Sequence, residues 1–154
     1  MEEEEPTVAE IMKVKVLTAD MNVSARECAK TMAKRGVGCA VIVQGKAAIG
    51  IVTERDFVRK VIADVLDPAK VLVRDIMSTP LITITPGATM TEAAELMSEY
   101  GIRRIVVVDS GGGLAGIVTS ADLAKVVAKK HGYEEAALNA IARSKEGPAG
   151  GPYQ

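Results

Sequence analysis

The stretch GIVTERD, Gly50 to Asp56, returns as GIVTSAD, Gly116 to Asp122, with five of seven positions identical at a displacement of 66. An internal repeat constrains a chain more than any composition figure, because each copy must build the same supersecondary unit. The repetition runs well beyond those seven residues. At a displacement of 65, Ile11-Met12 falls on Ile76-Met77, Ser24 on Thr89, Met32 on Met97 and Gly36 on Gly101. The displacement becomes 66 between VIVQGKAAIG and VVVDSGGGLAG, where the second copy holds one more residue. An insertion there reads as a turn, where length is tolerated.

Each copy carries the same local signals. A short extended piece, KVLT or LITI, comes first. Ser24-x-x-Glu27 and Thr89-x-x-Glu92 predict capping boxes that open a helix. Ala25, Cys28, Ala29, Met32 and Ala33 then form one apolar helical stripe, and Gly36 and Gly101 stand where a helix stops. The β-branched runs CAVIV and IVVV predict strands, followed by a turn, a strand ending in GIVT and a closing helix. Phe57, Val58, Val61 and Ile62 are expected along one face of that helix, matched by Leu123, Ala124, Val127 and Ala128. Gly111-Gly112-Gly113 has no Lys-Ser/Thr after it and opens no helix, so it predicts a hairpin turn. A unit of about 60 residues buries too little surface to be stable alone. The expectation is therefore an α+β fold of two pseudo-twofold-related β-α-β-β-α units packed sheet to sheet as one module. The first unit is placed at 7–66 and the second at 67–130, including a linker at 67–72. An acidic tail at 1–6, a further helix at 131–143 and a disordered tail at 144–154 complete the division.

Composition narrows the class. Apolar residues make up 48% of 154, with no Trp and one Phe, so the core must be aliphatic. A net charge of −1 supplies no basic field of the kind that draws proteins to nucleic acid. No membrane-length apolar stretch and no basic-then-apolar leader pattern is found, which predicts a cytoplasmic protein. Cys28 and Cys39 suggest neither a disulfide framework nor a metal site, and Cys39 has no general base nearby in sequence. The lone His131 reads as a surface residue. No nucleophile, base and oxyanion set assembles, so catalysis is not expected.

The order Ile-Met, a capped helix, Gly, VVVD and then GIVTxxD, stated twice over residues 7 to 130, resembles the tandem cystathionine-β-synthase (CBS) domain. The chain resembles the free-standing CBS-pair proteins common in archaea. The resemblance implies a regulatory module that binds AMP, ADP or ATP, with S-adenosylmethionine as an alternative. It also implies assembly as a homodimeric disc and an unidentified regulated protein.

Thr53 and Thr119 end a strand and begin a helix, and Asp56 and Asp122 follow three residues later. Two readings of this spacing stand. Thr-x-x-Asp is close to a capping box, and a carboxylate so placed can also accept both hydroxyls of a ribose, as in dinucleotide folds. The roles can coexist. The family's ribose motif falls on these aspartates, and the resemblance implies one pocket of Thr53, Arg55 and Asp56 facing Leu81, Ile82 and the Arg103-Arg104 pair. An arginine suits phosphate, being permanently charged and able to donate two parallel hydrogen bonds. The second pocket would join Thr119 and Asp122 to Val16, Leu17, Gly38 and Cys39. There the double arginine is missing and Lys13 and Lys15 are the cations at hand, so this site is expected to be the weaker. Two other function classes compete. One is an interaction module with vestigial clefts; the other is nucleic-acid binding, which the charge balance and sparse aromatics disfavour.

Overall fold

A computed structural model of the chain describes residues 4–130. The expected helix at 131–143, the tail at 144–154, His131 and the first three residues lie outside them. The chain builds α1 (Val8–Ile11), β1 (Thr18–Asp20), α2 (Ala25–Arg35), β2 (Cys39–Gln44), β3 (Ala47–Thr53) and α3 (Glu54–Phe57), which continues as a π-helical stretch, Val58–Ile62. The second half repeats the series as α4 (Val73–Ile76), β4 (Thr83–Ile84), α5 (Met90–Tyr100), β5 (Arg104–Val108), β6 (Leu114–Thr119) and α6 (Ser120–Lys130). Each half holds a three-stranded sheet, ordered β1-β2-β3 or β4-β5-β6, with the first pair parallel and the second antiparallel. The duplication reaches down to irregularities, since β2 and β5 both break register at the matching point, Ile42/Val43 and Val107/Val108. This is the α+β duplicated architecture expected from the repeat.

Alternation along the strands explains why they read as unbroken apolar runs. Ala40, Ile42 and Val52 face a core with Ala25, Cys28 and Met32 of α2. Ile105, Val107 and Val118 face Ala93 and Met97 of α5. The residues between them, Val41 and Val106, are also fully buried, on the opposite sheet faces. A strand covered on both faces loses the polar alternation of a half-exposed one. One face of each sheet is closed by helices and the other by the sister half, with an isolated bridge between Ala47 and Gly113 tying the two.

The first turn of each repeat is exchanged. Val8 of α1 is buried in the core of the second half, while Val73 and Ile76 of α4 are buried in the core of the first. The residues that follow each turn cross the partner's last strand: Lys13 bridges Ile117 and Ser78 bridges Ile51. This crossing accounts for the repeated glycine. A Cβ on Gly50 would stand 2.5 Å from Met77 Sδ, and one on Gly116 would stand 2.6 Å from the Lys13 carbonyl oxygen. The repeat's glycines are the gaps through which the exchanged segments pass.

Several local expectations change. Thr89 and Glu92 form a reciprocal capping box, but at α2 Ser24 accepts from the Glu27 amide without the return bond. Glu27 turns instead toward Lys30, 3.9 Å away. The expected face Phe57-Val58-Val61-Ile62 is split: Val61 is buried, but Val58 and Ile62 are 56% and 70% exposed. The π-helical winding, marked by the Ala63 amide bonding the Val58 carbonyl, turns Ile62 off the face, whereas Val58 is exposed like its counterpart Ala124. In α6 Ala128 is buried and Leu123 packs on the core, whereas Ala124 is exposed and Val127 lies 45% exposed in an open groove against α5. The short strands begin late, so Lys15–Leu17 and Leu81–Ile82 approach as irregular chain. The triple glycine is a turn, as expected, with the Asp109 carboxylate accepting from the Gly111 and Gly113 amides.

Candidate functional site

Asp56 and Asp122 are the buried charged residues among those described, at 6% and 7% exposure. Each is the third residue past its strand, and each carboxylate turns back on the threonine before it. Asp56 Oδ2 accepts from the Thr53 amide at 2.9 Å and its hydroxyl at 3.3 Å. Asp122 Oδ2 accepts from the Thr119 amide and hydroxyl, both at 2.9 Å, while the Asp122 amide donates to the Thr119 hydroxyl. The capping role is therefore real in both copies, and it leaves each Oδ1 pointing elsewhere.

The two differ at that second oxygen. Asp56 Oδ1 accepts from the Ser78 hydroxyl at 3.2 Å and pairs with Lys60 Nζ at 3.0 Å. Lys60 is fixed at a second point, donating to the Ile76 carbonyl at 2.8 Å. Asp122 Oδ1 has Lys13 Nζ at 3.9 Å, and the Lys13 side chain is 59% exposed. Position 78 matches position 13 under the repeat, but Lys60 is matched by Val126, so one copy holds an internal cation that the other lacks.

The crossing segments put the remaining candidates in place. Ser78 of the other half touches Asp56, and the half-buried Leu81 and Ile82 follow it three and four residues later in the chain. Lys13 Nζ stands 3.9 Å from the Asp122 carboxylate, a few residues before Val16 and Leu17. The Leu17 carbonyl is occupied by the Val41 amide. Arg55 and Arg103 are exposed. Arg104 is half-buried and reaches across the seam: a Cβ on Gly38 would lie 3.5 Å from its Nη2 and 3.7 Å from the Glu54 carboxyl carbon. The repeat pairs Gly38 with Arg103 and Cys39 with Arg104, so the arginine lies beside the matching segment of the first half. Burial pushes the Cys39 thiol up, while Arg104 and Lys13 pull it down and Glu54 adds to the rise. Burial alone raises Cys28.

Sequence reasoning missed Lys60 and Ser78. Lys60 lies one turn past Asp56, a spacing that reads equally as a surface ion pair, and nothing in the sequence tells which way a lysine bends. Ser78 was legible in principle through its match to Lys13. Two cavities stand out among the described residues, of about 310 Å³ between α5 and α6 and about 530 Å³ beside Lys60, Asp64, Lys70 and Asp75; neither is lined by Asp56 or Asp122. No group of three or more His, Cys, Asp or Glu suited to a metal occurs among the described residues. Nor is any helix there long and apolar enough to cross a membrane.

A duplicated α+β module with a buried threonine-held carboxylate at each end of its seam is a specific class of fold. The CBS domain model matches residues 8–63 and 73–129, and the chain belongs to the CBS domain family as a tandem pair. Among relatives, it is 43% identical over 121 residues to an uncharacterized protein of Methanopyrus kandleri and 36% identical over 119 residues to one of Methanocaldococcus jannaschii. Those alignments cover 78% and 75% of this chain but 62% and 63% of the relatives, so the chain spans less than two thirds of their length. Among solved structures, a protein with CBS domains from Burkholderia ambifaria superposes with a TM-score of 0.75 at 32% identity, covering 84% of this chain and 99% of that one. A CBS domain protein from Pyrobaculum aerophilum, complexed with AMP, gives 0.71 at 30% identity, with 89% and 98% covered. A CBS domain pair complexed with 5-methylthioadenosine and S-adenosyl-L-methionine gives 0.73 at 28%, with 82% and 99% covered.

Proposed function

We propose that the chain is a non-catalytic regulatory module that binds an adenine nucleotide, AMP, ADP or ATP, between its two CBS units, 7–66 and 67–130. The carrying observation is the matched pair of buried aspartates, each held by its threonine and each met by a segment crossing from the other half. A carboxylate so placed can take a ribose diol, the half-buried Leu81-Ile82 and Val16-Leu17 pairs can flank a purine, and Arg104 supplies charge for phosphate. The AMP-bound and S-adenosylmethionine-bound relatives support the ligand class. Ligand binding across the seam would change how the halves meet, and a partner protein would read that change.

The apolar groove of Met90, Ala94, Leu123 and Val127, with Val58 and Ile62 exposed on the matching helix of the other half, supports a homodimer through these helices. Light scattering after gel filtration tests that part. The ligand reading is tested by thermal shift. At a hundred times its dissociation constant a nucleotide adds about 2.7 kcal/mol, roughly 5–10 °C for a chain of this size. No shift with AMP, ADP, ATP or S-adenosylmethionine at millimolar concentration would refute it.

A further inference from the structure

The two clefts share one motif but not one state, and the difference lies in what each carboxylate has left to offer. A carboxylate has about four acceptor positions. At Asp56 all four are spoken for: Thr53 gives two donors to Oδ2, and Ser78 and Lys60 give one each to Oδ1. Lys60 is held at both ends of its reach, by the carboxylate and by the Ile76 carbonyl. At Asp122, Oδ2 is equally full, but Oδ1 receives no hydrogen bond among the described residues, since Lys13 at 3.9 Å is too far to make one. Among the described residues no buried side-chain oxygen or nitrogen is sealed without a partner, so that free oxygen keeps some exposure.

We infer that Lys60 is an internal occupant of the Asp56 cleft, and that the Asp122 cleft is the one that takes the nucleoside. This rests on the nucleotide-binding reading and reverses the order expected from the arginine pair. A ribose diol brings two donors. At Asp122 it meets an accessible oxygen and needs to displace at most a solvated lysine. At Asp56 it must break an ammonium contact and a hydroxyl contact in a part-buried corner, and nothing on the ligand replaces the lost charge. Val126, the counterpart of Lys60, cannot play this part for Asp122. Lys60 is thus a specificity-determining residue for the pair: it sets how many ligands the module holds.

Calorimetric titration of the full chain with AMP reads this out directly. Wild type is expected to bind one AMP per chain. Asp122→Asn should weaken that binding at least about tenfold, the scale of a lost charged hydrogen bond. Lys60→Met should raise the stoichiometry to two, and Lys60→Gln, which keeps most of the stem, guards against a folding defect monitored by circular dichroism. Two AMP bound by wild type, or undiminished AMP binding in Asp122→Asn, would overturn the inference and leave the nucleotide reading standing. Failure of wild type and both Lys60 variants to bind AMP, ADP, ATP or S-adenosylmethionine would overturn both.

Discussion

Gly116→Ala and Gly50→Ala change matched positions of the repeat, yet the structure predicts unequal costs. In both, the new methyl meets the crossing segment, and neither glycine has a positive φ, so backbone strain plays no part. At Gly50 the obstacle is the Met77 side chain, with Sδ at 2.5 Å and Cγ at 2.9 Å from the added carbon. A thioether has three rotatable bonds and can swing aside. At Gly116 the first obstacle is backbone, the Lys13 carbonyl oxygen at 2.6 Å, with Met12 Sδ at 2.9 Å behind it. That carbonyl accepts from the Ile117 amide at 2.9 Å and the Lys13 amide donates to the Ile117 carbonyl at 2.8 Å, so it cannot retreat without stretching both bonds. Overpacking costs about 1–3 kcal/mol, and replacing glycine at a compatible φ returns about 0.4–1 kcal/mol through the unfolded chain. Gly50→Ala should therefore lose less than about 1 kcal/mol and Gly116→Ala about 2 kcal/mol or more, a fall in Tm of roughly 4–8 °C. Urea denaturation with matched slopes measures the difference. Equal losses, or a larger one at Gly50, would show that the clash is not what the repeated glycines avoid.

Other consequences are as direct. Asp56→Ala strips Lys60 and Thr53 of a shared acceptor, and should cost about 2 kcal/mol after allowing for the 41% exposure of the Lys60 side chain; Asp122→Ala should cost less, and chemical denaturation ranks the two. Val65 sits at φ 55° just past the π-helical stretch and is 90% exposed. Val65→Gly relieves a left-handed strain of about 1–2 kcal/mol against a slightly smaller entropic loss, so Tm should rise by about 1–3 °C, with a fall refuting the strain. The thiols of Cys28 and Cys39 are pushed up by burial. A disulfide reagent at pH 8 should label both far more slowly in the native protein than in urea, with labelling accelerating as pH rises past the ordinary thiol range; equal rates at pH 8 would contradict that burial.

How much of this was legible follows from what kind of force sets each feature. The duplication, the three strands per half and the stop of α2 at Gly36 rest on periodicity and local conformation, which a sequence records directly. The aspartates were marked by recurrence, and their burial agrees with it. The split face of α3 was not legible, because a π-helical stretch keeps the residues and changes the angle between them, so Ile62 read as core. The exchange of α1 and α4 was hidden because Val8 and Val73 demand burial without saying in which half. Lys60 was hidden for the reason most ion pairs are: a flexible side chain chooses among acceptors by tertiary position, and the Ile76 carbonyl that anchors it arrives from sixteen residues away. The placement of Arg104 against Gly38 and Glu54 depended on the same distant geometry.

The exchanged first turns make this molecule a pair of hands each wearing the other's cuff. A fragment cut at 66/67 would carry α1 with nothing beneath it and leave its own core uncapped where Val73 and Ile76 belong. Joining the halves in the opposite order would keep every clasp, provided the new junction reached. A single copy of this unit would need a twin to supply its missing turn.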